Sequence, residues 1–395
     1  MSQVTHIMLI AGEASGDHHA ATLANQLRQW DPSIKLTGVG GRVMQQAGVT
    51  LLTDLTQYAV IGFFEVIKHS LSFYQAFRLV KHALRSSPPD LLILIDYPAF
   101  NLRLAKYAKS LGIKILYYIS PQIWAWKSGR IKTIHQCVDH MAVILPFEEN
   151  YYRQRGVDAT YVGHPLINQV HTRMTKSAAL EHFNLKPNRL TIGLLPGSRN
   201  NEIKYLWKIL VTTARKCLQQ WPDCQFVVPV ASTLNLNKLK EFSSWEDLPI
   251  TFTTTDKYEA MQCCDIALSC SGTVTLELAL LGIPMIIFYR VVPLSYWIAK
   301  RIVHIRHIGL CNIVADQETN IVPELLQHDV NPDRLMIEVK RYVEDKTYYQ
   351  TTQQALRQLR EKLLQVAPQQ TLLGVIIKLL QTPDSLLLEA QHFNV

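Results

Sequence analysis

Asp96, Arg199 and Glu277 are the residues whose types and places in the chain can do chemistry. Asp96 follows the apolar run Leu91-Leu92-Ile93-Leu94-Ile95 and opens the string Asp96-Tyr97-Pro98-Ala99-Phe100-Asn101. A carboxylate at the carboxyl end of a buried parallel strand faces the ligand crevice. Partial desolvation there raises its proton affinity and makes it a better general base; the alternative is that Asp96 or Asn101 only caps the next helix. Arg199 closes Pro196-Gly197-Ser198-Arg199. Its guanidinium fork can pair two phosphate oxygens and neutralise a departing diphosphate, the plainer alternative being a surface ion pair. Glu277 lies in the first turns of a helix that begins after the strand Ile266 to Cys270 and the turn Ser271-Gly272-Thr273. Exposed N–H groups at such a turn suit a phosphate, and a carboxylate beyond it can accept hydrogen bonds from ribose hydroxyls. A plain βα turn is the other reading of that segment.

Gly12-Glu13-Ala14-Ser15-Gly16-Asp17-His18-His19 ends the first strand. Its glycines and serine allow backbone N–H groups to line a pocket, and Ser15 or Asp17 can cap the helix that follows. The spacing is not that of a dinucleotide fingerprint. His18 and His19 point about 100° apart on a helix, which disfavours a shared metal and leaves His19 open to a role as proton acceptor. Phe63 to Arg85 carries Phe63, Phe64, Ile67, Phe73 and Phe77 among many large apolar residues, bordered by Lys68, Arg78, Lys81 and Arg85. As a helix it has more apolar surface than one core-facing stripe needs, so part can lie in a bilayer interface with its cations on anionic headgroups. Ordinary burial is the competing explanation, and it serves equally for Tyr296 to Arg301.

The elements that must position these residues alternate strand and helix. Apolar runs at His6 to Ala11, Leu36 to Gly40, Leu91 to Ile95, Ile115 to Ile119 and Met141 to Leu145 predict a parallel sheet covered on both faces, with helices such as Leu102 to Leu111 between them. Punctuation at Val162-Gly163-His164-Pro165 precedes a second series, Thr191 to Leu195, Phe226 to Val230, Ile250 to Thr253, Ile266 to Cys270 and Met285 to Tyr289. Gly282 and Pro284 close the helix that carries Glu277. The reading is an α/β chain of two doubly wound, Rossmann-like domains facing across a cleft, 1–166 and 167–366, with a helical tail at 367–395.

At 395 residues the chain is long enough for two cores. A net charge of +8 suits an anionic ligand or an acidic membrane surface, while the absence of a basic tail or nucleic-acid motif argues against nucleic acid. Seven cysteines without a Cys-x-x-Cys pair point to a reducing cytosol and away from a disulfide framework or zinc site. No apolar run reaches spanning length, so a soluble or peripheral protein is expected.

Together, Ala11-Gly12-Glu13-Ala14-Ser15-Gly16-Asp17, Val60-Ile61-Gly62-Phe63-Phe64-Glu65-Val66, Asp96 to Asn101, Ser120-Pro121-Gln122-Ile123-Trp124-Ala125-Trp126, Leu195 to Arg199 and Ser271-Gly272-Thr273-Val274-Thr275-Leu276-Glu277 resemble the lipid-A-disaccharide synthase family, in family order from about residue 7 to about 327. The resemblance implies a GT-B glycosyltransferase that joins UDP-2,3-diacylglucosamine to 2,3-diacylglucosamine 1-phosphate with inversion. It needs no metal or cofactor and works peripherally at the cytoplasmic face of the inner membrane of a Gram-negative cell. Members can form C-terminally exchanged dimers, so a homodimer is an expectation here. By motif, the resemblance makes Asp96 the base toward the acceptor 6-hydroxyl. It assigns the UDP-sugar to Gly197, Ser198, Arg199, Ser271, Gly272, Thr273, Glu277 and Asn312, and the acceptor to Glu13, Ser15, Gly16 and Asp17. The chain departs from the family at Cys311, where proline is usual, and at Ala315-Asp316-Gln317-Glu318-Thr319, which lacks a Gly-Arg pair. A UDP-sugar epimerase, another GT-B transferase, or a non-catalytic nucleotide-binding relative are the alternatives.

Overall fold

A computed structural model describes residues 4–56, 70–126, 128–197, 200–230, 236–290, 307–315 and 320–381. Phe63, Phe64, Ile67, Ser198, Arg199, the 296–301 run and the 316–319 loop lie outside the described residues. The chain divides into two compact units, the described parts of Met1–Pro165 with Gln365–Val395, and of Leu166–Leu364.

Unit 1 holds seven strands, β1 (His6–Ala11), β2 (Lys35–Val39), β3 (Thr50–Thr53), β4 (Leu91–Ile95), β5 (Ile115–Tyr118), β6 (His140–Val143) and β7 (Ala159–Tyr161). They form one parallel sheet in the order β3-β2-β1-β4-β5-β6-β7. Every residue of β1 and β4 is buried, because helices cover both faces and no side of the strand meets water. The helices are α1 (Ala14–Trp30), α2 (Arg42–Gln46), α3 (Ser70–Ser86), α4 (Pro98–Ser110), α5 (Ile123–Trp126), α6 (Ile131–Cys137) and α7 (Pro146–Arg153). Ile7 sits opposite Leu91 on one side and Leu36 on the other, which places β1 beside β4 at the point where the strand order reverses. That switch point opens a crevice at the carboxyl ends of the two strands.

Unit 2 repeats the plan with β8 (Thr191–Leu195), β9 (Gln225–Pro229), β10 (Ile250–Thr253), β11 (Ile266–Cys270), β12 (Met285–Tyr289) and β13 (Glu324–Leu326), all parallel, in the order β10-β9-β8-β11-β12-β13. Its helices are α8 (Leu166–Gln169), α9 (Lys176–His182), α10 (Asn200–Gln220), α11 (Leu236–Phe242), α12 (Lys257–Gln262), α13 (Val274–Leu280), α14 (Leu310–Ala315), α15 (Pro332–Glu344) and α16 (Lys346–Leu364). Trp207 of α10 is wholly buried and meets Trp245 edge to face at 5.5 Å. Truncating such a residue to alanine costs about 3–5 kcal/mol. The switch point here lies between β8 and β11.

The chain then returns to unit 1 as α17 (Leu372–Leu380), whose Val375 and Ile376 enter the core that includes Leu23 and Leu27 of α1. Among the described residues no helix is long and apolar enough to cross a membrane. The central strands stand where the apolar runs predict them. The short strands β3, β7 and β13 at the sheet edges are additional, because three or four residues of mixed polarity carry little periodicity.

Candidate active site

Asp96 projects from the carboxyl end of β4 in unit 1. Its backbone is left-handed (φ 47°), as is that of Tyr97 (φ 46°). The Asp96 N–H donates to the Tyr118 carbonyl at 3.0 Å. Its own carbonyl accepts from the Tyr117 hydroxyl at 2.6 Å and from Asn101 Nδ2 at 2.8 Å. Burial, with the Glu13 carboxylate beside it, pushes the Asp96 carboxyl up to about 6, against a weaker pull from the Tyr97 N–H. Glu13, at the end of β1, is itself raised by burial. Two carboxyls therefore share one poorly solvated crevice, the arrangement that tunes an acid toward base catalysis near neutrality.

Of the residues expected to meet the acceptor, Ser15 is exposed at the start of α1 and Glu13 borders the crevice. Gly16 lets α1 approach the sheet, since a Cβ there would stand 3.3 Å from that of Ala11. Asp17 has another job. Its buried carboxylate accepts from the N–H groups of Gly41 (2.7 Å), Val43 (3.1 Å) and Met44 (3.1 Å), so it caps α2 from the neighbouring helix α1. These three bonds give Asp17 a structural role in unit 1 beside the acceptor role expected of it.

Glu148 was not singled out by the sequence. It is fully buried at the third position of α7 and accepts from Ser120 Oγ (2.5 Å), Trp124 Nε1 (3.0 Å) and the Leu145 N–H (3.2 Å). Burial lifts its carboxyl to about 7 despite these donors. It thereby fixes the Ser120 to Trp126 string beside the crevice. The Pro146-Phe147-Glu148 sequence after a strand was the available signal, a Pro at the helix start with Glu behind it. Burial lowers the proton affinity of both His19 and His164, that of His164 to about 4, and His19 stands edge-on to Tyr118 at 6.3 Å.

In the aromatic helix, Phe73 stacks on Tyr97 at 6.2 Å and Phe77 meets Phe100 edge to face at 5.5 Å, so both pack onto α4. Both are half-buried, and the exposed residues of α3 include Tyr74, Arg78, Leu79 and Arg85. Cations line the helix, with Arg78 over Tyr74 at 6.0 Å and Lys81 over Tyr107 at 4.1 Å.

In unit 2, Gly197 follows β8 with φ 99°, a conformation side-chain-bearing residues rarely adopt. Beside it, β11 ends in Ser271-Gly272-Thr273. The Ser271 N–H donates to the Phe288 carbonyl (3.1 Å) and its hydroxyl to the Ile308 carbonyl (2.8 Å). Ser271 thus ties the turn to the next strands, and Gly272 and Thr273 are the exposed residues. Glu277 is buried on α13, its Oε1 accepting from Lys257 Nζ at 2.8 Å and the Tyr258 hydroxyl at 3.3 Å. Lys257 and Tyr258, just past β10, were missed because nothing local marks a pairing across 20 residues.

Asn312 is buried on α14. Its buried amide donates to the Val322 carbonyl (3.0 Å) and Glu324 (2.6 Å) and accepts from the Ile321 (3.0 Å) and Val322 (3.2 Å) N–H groups. Glu324 in turn accepts from the N–H groups of Ile308 (2.8 Å) and Gly309 (3.0 Å). Asn312 rivets α14 to the stretch before β13.

Each unit therefore gathers its polar side chains at the carboxyl ends of adjacent parallel strands, a half-buried carboxyl pair in unit 1 and a small-residue turn with a carboxylate in unit 2. The model of the lipid-A-disaccharide synthetase family matches residues 7–372. The lipid-A-disaccharide synthase of Geobacter sulfurreducens is 44% identical over 374 residues, covering 95% of this chain and 97% of that protein. That of Coxiella burnetii is 40% identical over 357 residues, covering 90% and 94%. Among solved structures, the calicheamicin glycosyltransferase is similar with a TM-score of 0.57 at 13% identity, over 92% of this chain and 94% of that one. The UDP-N-acetylglucosamine 2-epimerase of Neisseria meningitidis bound to UDP-N-acetylglucosamine has a TM-score of 0.54 at 12% identity, over 92% and 100%. These structural likenesses show the GT-B fold, which glycosyltransferases and epimerases share. The family match over most of the length, with relatives at two-fifths identity or more, decides between them: the chain belongs to the lipid-A-disaccharide synthetase family, glycosyltransferases of lipid A biosynthesis.

Proposed function

We propose that the protein transfers the diacylglucosaminyl group of UDP-2,3-diacylglucosamine to the 6-hydroxyl of 2,3-diacylglucosamine 1-phosphate, releasing UDP and inverting the anomeric carbon. The observation that carries this reading is Asp96, a strand-end carboxyl lifted to about 6 by burial and by Glu13. Asp96 takes the acceptor hydroxyl proton as the oxygen attacks the anomeric carbon, and the bond to the diphosphate breaks with its electron pair leaving on UDP. A base of this proton affinity is ionised at neutral pH yet far more basic than a solvated aspartate. Arg199, assigned from its motif, and the N–H groups of Gly272 and Thr273 meet the charge on the leaving diphosphate. Glu277 takes the ribose hydroxyls, with Lys257 and Tyr258 fixing its orientation. Glu13 and Ser15 meet the acceptor.

The substrates carry acyl chains, and the exposed Tyr74, Arg78, Leu79 and Arg85 of α3 suit an anionic bilayer surface, which supports the reading of a peripheral protein at the cytoplasmic face of the inner membrane. Mass spectrometry after incubation with the two acylated sugars tests the reaction. A tetraacylated disaccharide 1-phosphate is expected. UDP accompanied by free diacylglucosamine, or by an epimerised UDP-sugar, would reject transfer.

A further inference from the structure

Two consecutive side-chain-bearing residues in left-handed backbone are uncommon, and the second is a bulky aromatic. Asp tolerates that region; Tyr rarely enters it, and strain of this kind persists only where the surroundings over-determine it. Here they do, from three directions. The peptide between the two residues is clamped at the Asp96 carbonyl, by the Tyr117 hydroxyl at 2.6 Å and Asn101 Nδ2 at 2.8 Å. Asn101 is wholly buried and its Oδ1 has no partner, a loss accepted while Nδ2 holds the Ile95 and Asp96 carbonyls. On the other side, the Tyr97 ring lies against the backbone of Gly12, where a Cβ would come within 2.3 Å of the ring carbon Cδ1. Phe73 stacks against the same ring at 6.2 Å and Phe100 flanks it at 6.1 Å.

We infer that Tyr97, Tyr117, Asn101 and Gly12 are positioning residues that lock the Asp96-Tyr97 turn in its left-handed form and so hold the Asp96 carboxylate at the acceptor oxygen. The inference rests on the reading of Asp96 as the base. A relaxed turn swings the carboxylate out of line and toward water. The cost falls on the chemical step, because displacement of about 1 Å lowers a proton-transfer rate by about 100-fold. The titratable and charged groups around Asp96 are Glu13 from the β1–α1 turn, Tyr97 beside it, and Tyr117 from β5, which also feels Arg130.

Tyr117→Phe removes one clamp with little change of volume, and Gly12→Ala dislodges the ring from the opposite side. Each is expected to lower kcat about 10- to 100-fold with both KM values within about twofold. Each should also move the acid limb of the kcat–pH profile to lower pH, as the carboxyl gains water. A merely structural role would lower the melting temperature and leave that limb in place. Should Tyr117→Phe not fold, Gly12→Ala carries the test alone. Asp96→Asn serves as reference. If it is inactive while the folded clamp variants keep kcat and the parental acid limb, the clamp is rejected and the base reading stands. If Asp96→Asn itself turns over at the parental rate, the base reading is what fails.

Discussion

Asp96 must be deprotonated to accept a proton, and its carboxyl stands at about 6, so kcat falls as pH drops through that value. Part of the elevation comes from Glu13, whose negative charge disfavours a second one nearby. Glu13→Gln removes that charge, and the Asp96 carboxyl then ionises more readily. With acceptor at saturation, the acid limb of the kcat–pH profile is expected to move to lower pH; a limb that stays put or moves up would contradict the electrostatic coupling. Asp96 was legible in the sequence because five apolar residues precede it and set its place at a strand end. Asp17, Asn312 and Ser271 were legible as polar residues in the right motifs, but their partners were not. The N–H groups that bind Asp17 lie 24 to 27 residues further along, and only the packing of α1 beside α2 brings them together. The same holds for Glu148 with Ser120, 28 residues apart.

At the scale of elements, strands buried on both faces read as continuous apolar runs, and β1, β4, β8 and β11 were legible for that reason. Edge strands have one neighbour and shorter pairing; Glu324–Leu326 carries a glutamate whose role is to bind backbone N–H groups rather than to fill a core. The helix α3 shows where composition alone misleads. Its phenylalanines are half-buried against Tyr97 and Phe100, and its capacity for a membrane surface rests on the cations and on Tyr74 and Leu79, which are 58% and 41% exposed. Each surface cation near an anionic leaflet contributes about 1 kcal/mol, so Arg78→Glu with Arg85→Glu should weaken binding to phosphatidylglycerol vesicles more than about tenfold. Sedimentation with those vesicles and with neutral phosphatidylcholine vesicles reads the effect. Undiminished binding, or equal binding of the parent to both vesicle types, would remove α3 from the membrane face.

At the scale of the whole molecule, the proposed reaction divides its work between two units of one design. Unit 1 brings a carboxyl pair and an aromatic clamp to its switch point, and unit 2 brings a small-residue turn, a buried carboxylate and, by motif, an arginine. This division makes nucleotide affinity and turnover separable, since removing the base leaves the donor site intact. Asp96→Asn tests it most directly, with UDP affinity measured by calorimetry and disaccharide formation by mass spectrometry on the same preparation. The expected result is a UDP Kd within about twofold of the parent and turnover reduced by about 100-fold or more, the scale of a lost general base. Turnover at the parental rate, or a UDP Kd that collapses together with turnover in a folded protein, would contradict it.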